Sequence, residues 1–187
     1  KLLVGLYPPE EGKIILNDVI INDTNRDHYR QFFTTIFSDF HLFERLLETS
    51  YEKDLDQRGN ELLTKLHLQH KVKVQNGAFT TLTLSQGQRK RLALVVTYLE
   101  NRPFMVFDEW AADQDPVFKE IFYHELLPEL RALGKTILVI SHDDRYFHLA
   151  DRLIRMENGR LTYANNKPSK TEVDTTISTL VTATSVA

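Results

Sequence analysis

Two adjacent carboxylates, Asp108 and Glu109, follow directly on the apolar run Phe104-Met105-Val106-Phe107. Transfer of a phosphoryl group to water needs a metal to spread charge on the phosphates and a positioned group to orient or deprotonate the water. Offset by one residue, the pair can divide those tasks, with Asp108 reaching Mg2+ and Glu109 reaching the attacking water. An isolated Asp-Glu more commonly just ends a strand and solvates a turn, so the surroundings must carry the case. Two other polar clusters stand in order along the chain, Leu84-Ser85-Gln86-Gly87-Gln88 before the pair and Ile140-Ser141-His142-Asp143 after it. Ser85 followed three residues later by Gln88 satisfies a capping box, which predicts a well-formed helix start. The same geometry suits an anion, since Ser85 Oγ, the Gly87 amide and the helix N-terminus would converge on it. His142 alone is a weaker signal, since a histidine at a strand end is more often a turn residue than a contact to phosphate. Taken together, the three clusters read as the second half of an ATP-hydrolysis site, yet no Gly-rich loop ending in Lys-Ser or Lys-Thr occurs in the 187 residues to hold the phosphates.

These clusters need a scaffold that brings them to one edge. Residues 104–107 and 136–140 are continuous apolar runs, each followed at once by polar groups, and a helix starting at Pro116 behind the N-cap Asp115 lies between them. Strand, helix, strand with both strands apolar on two faces predicts a buried parallel sheet, whose ligands gather at the carboxyl ends of its strands. Leu92, Val95, Val96 and Leu99 recur at i, i+3, i+4 and i+7, the mark of an amphipathic helix over residues 86–100. Residues 32–37 predict another buried strand, ended by Ser38-Asp39. Nearer the start, residues 13–16 and 19–21 around Asn17-Asp18 predict a small antiparallel hairpin, and residues 1–7 read as the tail of a helix begun earlier. From Leu42 to about Val74 the residues are charged helix formers with leucines at helical spacings, which predicts an α-helical lobe inserted into an α/β core. Residues 152–156 and 160–163, joined through Asn158-Gly159, predict a closing hairpin. Beyond Pro168 the chain is rich in Thr and Ser without periodicity, and a mobile tail is expected.

Composition bounds the function classes. Hydrophobic content of 42% and charged content of 26% are ordinary for a globular fold. A formal charge of −3 gives no reason to expect nucleic acid, and Arg89-Lys90-Arg91 reads as a solvated face. No cysteine is present, so no disulfide or thiolate metal site arises, which fits a reducing compartment. No apolar run approaches the roughly 20 residues that span a bilayer. The chain starts without Met or signal peptide, which reads as a fragment whose membrane role belongs to a partner or to upstream sequence.

The order and spacing of all three clusters resemble the nucleotide-binding domain of ABC ATPases, over roughly residues 1–165, from just after the phosphate loop. The resemblance makes Leu84-Ser85-Gln86-Gly87-Gln88 the signature motif, Phe104-Met105-Val106-Phe107-Asp108-Glu109 the Walker B strand, Ala112-Asp113-Gln114-Asp115 the D-loop and His142 the switch histidine. It implies a P-loop NTPase-type α/β core with a mainly parallel sheet, split into residues 1–41 and 101–165, a helical subdomain at 42–100, and a tail at 166–187. It also implies ATP and Mg2+ as ligands and a second ATPase domain docked head to tail. Ser85 and Gly87, with Gln86 and Gln88, would then meet the ATP of the partner, while Asp108, Glu109 and His142 serve their own, and Asp115 couples the two sites.

Departures are informative. The family usually has Gln before the helical lobe, where Ser38 stands, and the D-loop reads Ala-Ala-Asp-Gln-Asp with Trp110 after the base. Residues 37–43, the signature helix and the stretch from Val106 to Pro116 look most like bacterial exporters of cyclic peptides and peptide siderophores. There a membrane domain precedes the ATPase on the same chain, at the cytoplasmic face of the inner membrane. Two alternatives stay open: an ABC-type head of a DNA-repair, chromosome-maintenance or translation protein, and an ATP-incompetent interaction fragment.

Overall fold

The computed structural model describes residues 1–46, 54–166 and 180–186. Residues 1–7 form a turn closed by Gly5 N–H donating to the Leu2 carbonyl at 2.9 Å, in place of the expected helix tail. Strands β1 (Ile14–Leu16) and β2 (Val19–Ile21) pair antiparallel as expected, with Asn17 and Asp18 both at positive φ, the conformation a two-residue hairpin turn demands. A short helix α1 (Arg26–Arg30), not foreseen from the sequence, leads into β3 (Phe33–Ile36).

Among the described residues the lobe comprises helix α2 (Leu55–Lys65), a short hairpin of β4 (Val74–Gln75) and β5 (Ala78–Phe79), and helix α3 (Gln86–Glu100). Residues 47–53 of the expected helical stretch lie outside the described residues. The end of that stretch is a strand rather than a helix, because α2 itself holds it. Asn60 accepts from Val74 N–H at 3.0 Å and donates to the Val74 carbonyl at 2.9 Å, while the Asp56 carboxylate takes the N–H groups of Asn76 and Gly77. Leu63, Leu66 and Leu68 are fully buried and belong with Leu92 and Leu94 to the core.

Strand β6 (Phe104–Asp108) is followed by a 3-10 turn at Trp110–Asp113 and helix α4 (Pro116–Ile121), whose N-cap Asp115 accepts from Phe118 N–H at 2.9 Å. One π-turn, Phe122–Leu126, separates α4 from α5 (Leu127–Ala132). Then come β7 (Thr136–Ile140), a 3-10 turn at Asp144–Leu149, and the hairpin β8 (Arg152–Glu157) and β9 (Arg160–Asn166), joined at Asn158 and Gly159 as expected.

The main sheet has the order β3-β6-β7-β10-β8-β9 and is parallel except for β9. Its inner strand β6 buries Met105, Val106 and Phe107 in succession, the mark of a strand covered on both faces. By contrast β3 sits at an edge and buries only alternate residues, Thr34 and Ile36, so it is covered on one face. The member β10 is Leu180–Val186, which lies between β7 and β8 and parallel to both. This corrects the expected mobile tail for those residues. Val181, Thr182, Thr184 and Val186 are β-branched, and strand propensity favours them once two open edges flank them. Residues 167–179 and Ala187 lie outside the described residues. Among the described residues no helix is long and apolar enough to cross a membrane.

Candidate functional site

Parallel pairing sets Ile36 beside Phe107 and Asp108 beside Ile140. Ser38, Asp108, Glu109 and His142 therefore leave the sheet at one carboxyl edge, the place where open α/β sheets hold ligands. Ser38 is exposed in the turn after β3.

Glu109 is the focus of this edge. Its φ of 52° is left-handed, a conformation that costs an L-residue of order 1–3 kcal/mol unless its surroundings fix it. Three bonds do so: Glu109 N–H donates to the Ile140 carbonyl at 3.0 Å, and the Glu109 carbonyl accepts from Lys90 Nζ at 2.7 Å and from Ala112 N–H at 3.2 Å. The turned backbone aims the carboxylate at His142, with Oε1 3.3 Å from Nε2. That contact lacks hydrogen-bond geometry, and the buried Oε1 has no hydrogen-bond partner among the described residues. Burial pushes the Glu109 carboxyl above its usual range, the charge of Asp108 adds to this, and His142 and Lys90 oppose it. A carboxylate raised by burial, with one oxygen lacking a hydrogen-bond partner among the described residues, suits a proton acceptor near neutral pH.

Asp108 ends β6 half-buried. No group of three His, Cys, Asp or Glu side chains is arranged to hold a metal among the described residues. A single carboxylate fits Mg2+ in particular, because that ion draws most of its shell from phosphate and water.

The segment carrying His142 is braced on both sides. Ser141 is buried, and its Oγ accepts from Asp143 N–H at 3.0 Å and from the Tyr123 hydroxyl at 3.3 Å. Two hydrogen bonds from the Arg145 guanidinium hold the Asp143 carboxyl below the usual carboxylate range. Tyr146 stacks on Tyr123 with ring centres 4.0 Å apart, and its bond to Glu120 pushes its hydroxyl up to about 12. The His142 side chain itself stays 60% exposed.

The turn at residues 85–88 is built separately. Ser85 Oγ accepts from Gln88 N–H at 3.3 Å and Gln88 Oε1 accepts from Ser85 N–H at 3.2 Å, completing the expected capping box. Gln86 Nε2 donates to Asp113 at 3.0 Å, and the Gly87 carbonyl accepts from Gln114 at 3.0 Å. Only glycine fits at position 87, since a Cβ there would stand 2.8 Å from the Asp113 carbonyl oxygen. This turn is thus seated on residues 113–114 rather than on Glu109 or His142. Asp115 caps α4 and pairs with Arg91, so its carboxylate is engaged within the chain.

Leu92, Val95 and Leu99 are buried and Val96 partly so, as the helical spacing predicts. The basic run 89–91 is not a solvated face. Lys90 is 1% exposed, and Arg91 lies over the Phe118 ring at 3.8 Å. Helical spacing held the signal, because Ala93, Leu94 and Thr97 stand at i+3, i+4 and i+7 from Lys90 and all are buried. Trp110 was visible as an unusual neighbour of Glu109. Its packing on Phe122, with ring centres 4.2 Å apart, follows from a π-turn that periodicity does not announce.

Comparison with known proteins places these features among relatives. The family model described as ABC transporter matches residues 1–112. The ATP-binding protein SyrD of Pseudomonas syringae pv. syringae is 51% identical over 161 residues, covering 85% of this chain and 28% of that protein. An ATP-dependent lipid A-core flippase of Bordetella avium is 30% identical, with 85% of this chain and 29% of that protein covered. The chain therefore spans less than a third of the length of either relative. Among solved structures, a dimeric ATP-binding cassette in a post-hydrolysis state with ADP and Pi superposes with a TM-score of 0.71 at 18% identity, over 88% of this chain and 77% of the other. At that identity the likeness is one of fold.

Proposed function

This chain belongs to the ABC transporter family, and we propose that it supplies the hydrolytic edge and the partner-facing turn of an ATPase domain that drives export across a membrane. The observation that carries the reading is Glu109, whose buried Oε1 lacks a hydrogen-bond partner among the described residues and lies 3.3 Å from His142 Nε2, beside Asp108. In this reading Glu109 accepts the proton of the attacking water, and His142, exposed and braced from below, reaches the γ-phosphate. Asp108 holds Mg2+, which when bound neutralises charge on the phosphates, and Ser38 touches that ion's shell through water. Ser85 and Gly87 face the ATP of a second ATPase domain docked head to tail, with Gln86 and Gln88 keeping the turn in shape. Because its carboxylate is occupied by Phe118 N–H and Arg91, Asp115 links the sites by ordering its own segment.

Cargo and location are finer parts of the same proposal. Likeness to a named flippase supports an exporter in which a membrane-spanning domain carries this ATPase domain at the cytoplasmic face of the bacterial inner membrane. A cyclic peptide or peptide siderophore is the cargo that the motif likeness favours. The relative named as a flippase weighs against a repair or chromosome-maintenance head.

Grafting a phosphate loop and its strand from a family member ahead of Lys1 tests the reading. The graft is expected to bind ATP in a titration and to release phosphate, and Glu109→Gln in it should accumulate an ATP-bound dimer on size-exclusion chromatography. A graft that folds yet binds no ATP would leave an interaction module instead. Unchanged phosphate release in the Gln variant would take the base away from Glu109.

A further inference from the structure

Lys90 takes no part in the chemistry assigned above, yet it is among the largest fully buried side chains. Keeping a charge out of water is costly unless it is paired and bonded. The Lys90 ammonium has two partners, the Glu109 carbonyl at 2.7 Å and the Asp113 carboxylate at 2.7 Å. In return the Trp110 indole N–H donates to the Lys90 carbonyl at 2.9 Å, so helix α3 and the turn after β6 grip each other through one side chain from each. The same Asp113 oxygen that pairs with Lys90 accepts from Gln86. A continuous polar chain therefore runs from Gln86 through Asp113 and Lys90 to the backbone of Glu109, whose left-handed φ depends on outside bonds.

We propose that Lys90 is a positioning residue that transmits the seating of the 85–88 turn to Glu109. One ammonium serves both acceptors, so a displacement of Asp113 changes the bond at the Glu109 carbonyl and with it the direction of the carboxylate. A domain docking on the 85–88 turn thereby adjusts the base of the neighbouring site from within the chain. The inference rests on reading Glu109 as the base, but its readout is taken without nucleotide. Loss of the relay would leave the ATPase reading standing, and a graft without turnover would leave the relay measurable.

The experiment uses the full chain with 13C-labelled glutamate and 15N-labelled tryptophan and lysine. Gln86→Ala removes the donor to Asp113 and should shift the Glu109 carboxyl resonance. In a Lys90→Met background the same change should leave that resonance unmoved. Met keeps the unbranched stem, and Asp113, 38% exposed at its side chain, stays hydrated. The single tryptophan reports the fold, since its indole N–H bonds the Lys90 backbone and should keep its exchange protection. An equal Glu109 response with and without Lys90, or none in the wild type, overturns the proposal. Should Lys90→Met fail to fold, the wild-type background decides through the Lys90 ammonium resonance. Movement of that resonance together with Glu109 on Gln86→Ala supports the relay, and a Glu109 shift with Lys90 unmoved defeats it.

Discussion

The two polar regions of this molecule follow opposite rules of satisfaction. At the 85–88 turn, Ser85 and Gln88 bond each other, Gln86 bonds Asp113, and the Gly87 carbonyl takes Gln114. At the strand edge, Glu109 sits in a left-handed conformation with a buried oxygen that lacks a hydrogen-bond partner among the described residues. The first region is a finished scaffold that presents a helix end, where amide groups and the macrodipole favour an anion. The second keeps an acceptor in reserve, and natural folds tolerate that mainly where chemistry or an ordered water completes it. Satisfaction of the one and incompleteness of the other set a finished turn apart from an edge with an acceptor to spare.

Substitutions can break this contrast, and the largest effect should come from the unsatisfied side. In the loop-grafted protein, Glu109→Gln is expected to slow phosphate release by about 10²–10⁴-fold, the usual weight of a general base, with no loss of thermal stability. At the other region the order reverses, because there shape is at stake. Gly87→Ala forces a Cβ to 2.8 Å from the Asp113 carbonyl and should cost about 1–3 kcal/mol of stability in denaturant titration. Ser85→Ala loses one half of the capping box and should cost about 1 kcal/mol in the same assay. A cost near zero for both would mean that the turn is not the finished scaffold described here.

The smallest effect is a matter of pH. Burial raises the Glu109 carboxyl in the folded protein, so the native state holds this proton more tightly than the unfolded chain does. Its contribution is therefore favourable below the usual carboxylate range and is lost as pH rises through the raised value. Thermal midpoints of Glu109→Gln followed upward from pH 4 should gain on wild type as pH rises. A constant gap would show that the carboxyl is not raised.

Much of the scaffold was legible because local signals agreed with the fold. Apolar runs ended by polar pairs marked β6 and β7, the Ser85–Gln88 spacing marked the start of α3, and Asp115-Pro116 marked α4. The parts that escaped depend on long-range partners. The expected helical stretch runs to about Val74, but Asn60 and Asp56 of α2 bond the backbone of Val74, Asn76 and Gly77 into a hairpin. Lys90 carries a charge that ordinarily belongs in water, and only the turn after β6 accounts for its burial. Phe122, which stacks on Trp110, opens a π-turn whose i→i+5 spacing interrupts the 3.6-residue pattern that a helix is read from.

The placing of β10 has a consequence in time. Leu180–Val186 is synthesised after both strands that it separates. At roughly 5–20 residues per second, β7 and β8 stand with open facing edges for on the order of a few seconds during translation. Open strand edges are templates for pairing with other chains. A nascent molecule thus passes through an interval in which its sheet exists as two pieces, and slower decoding of residues 167–186 should lower soluble yield by lengthening it.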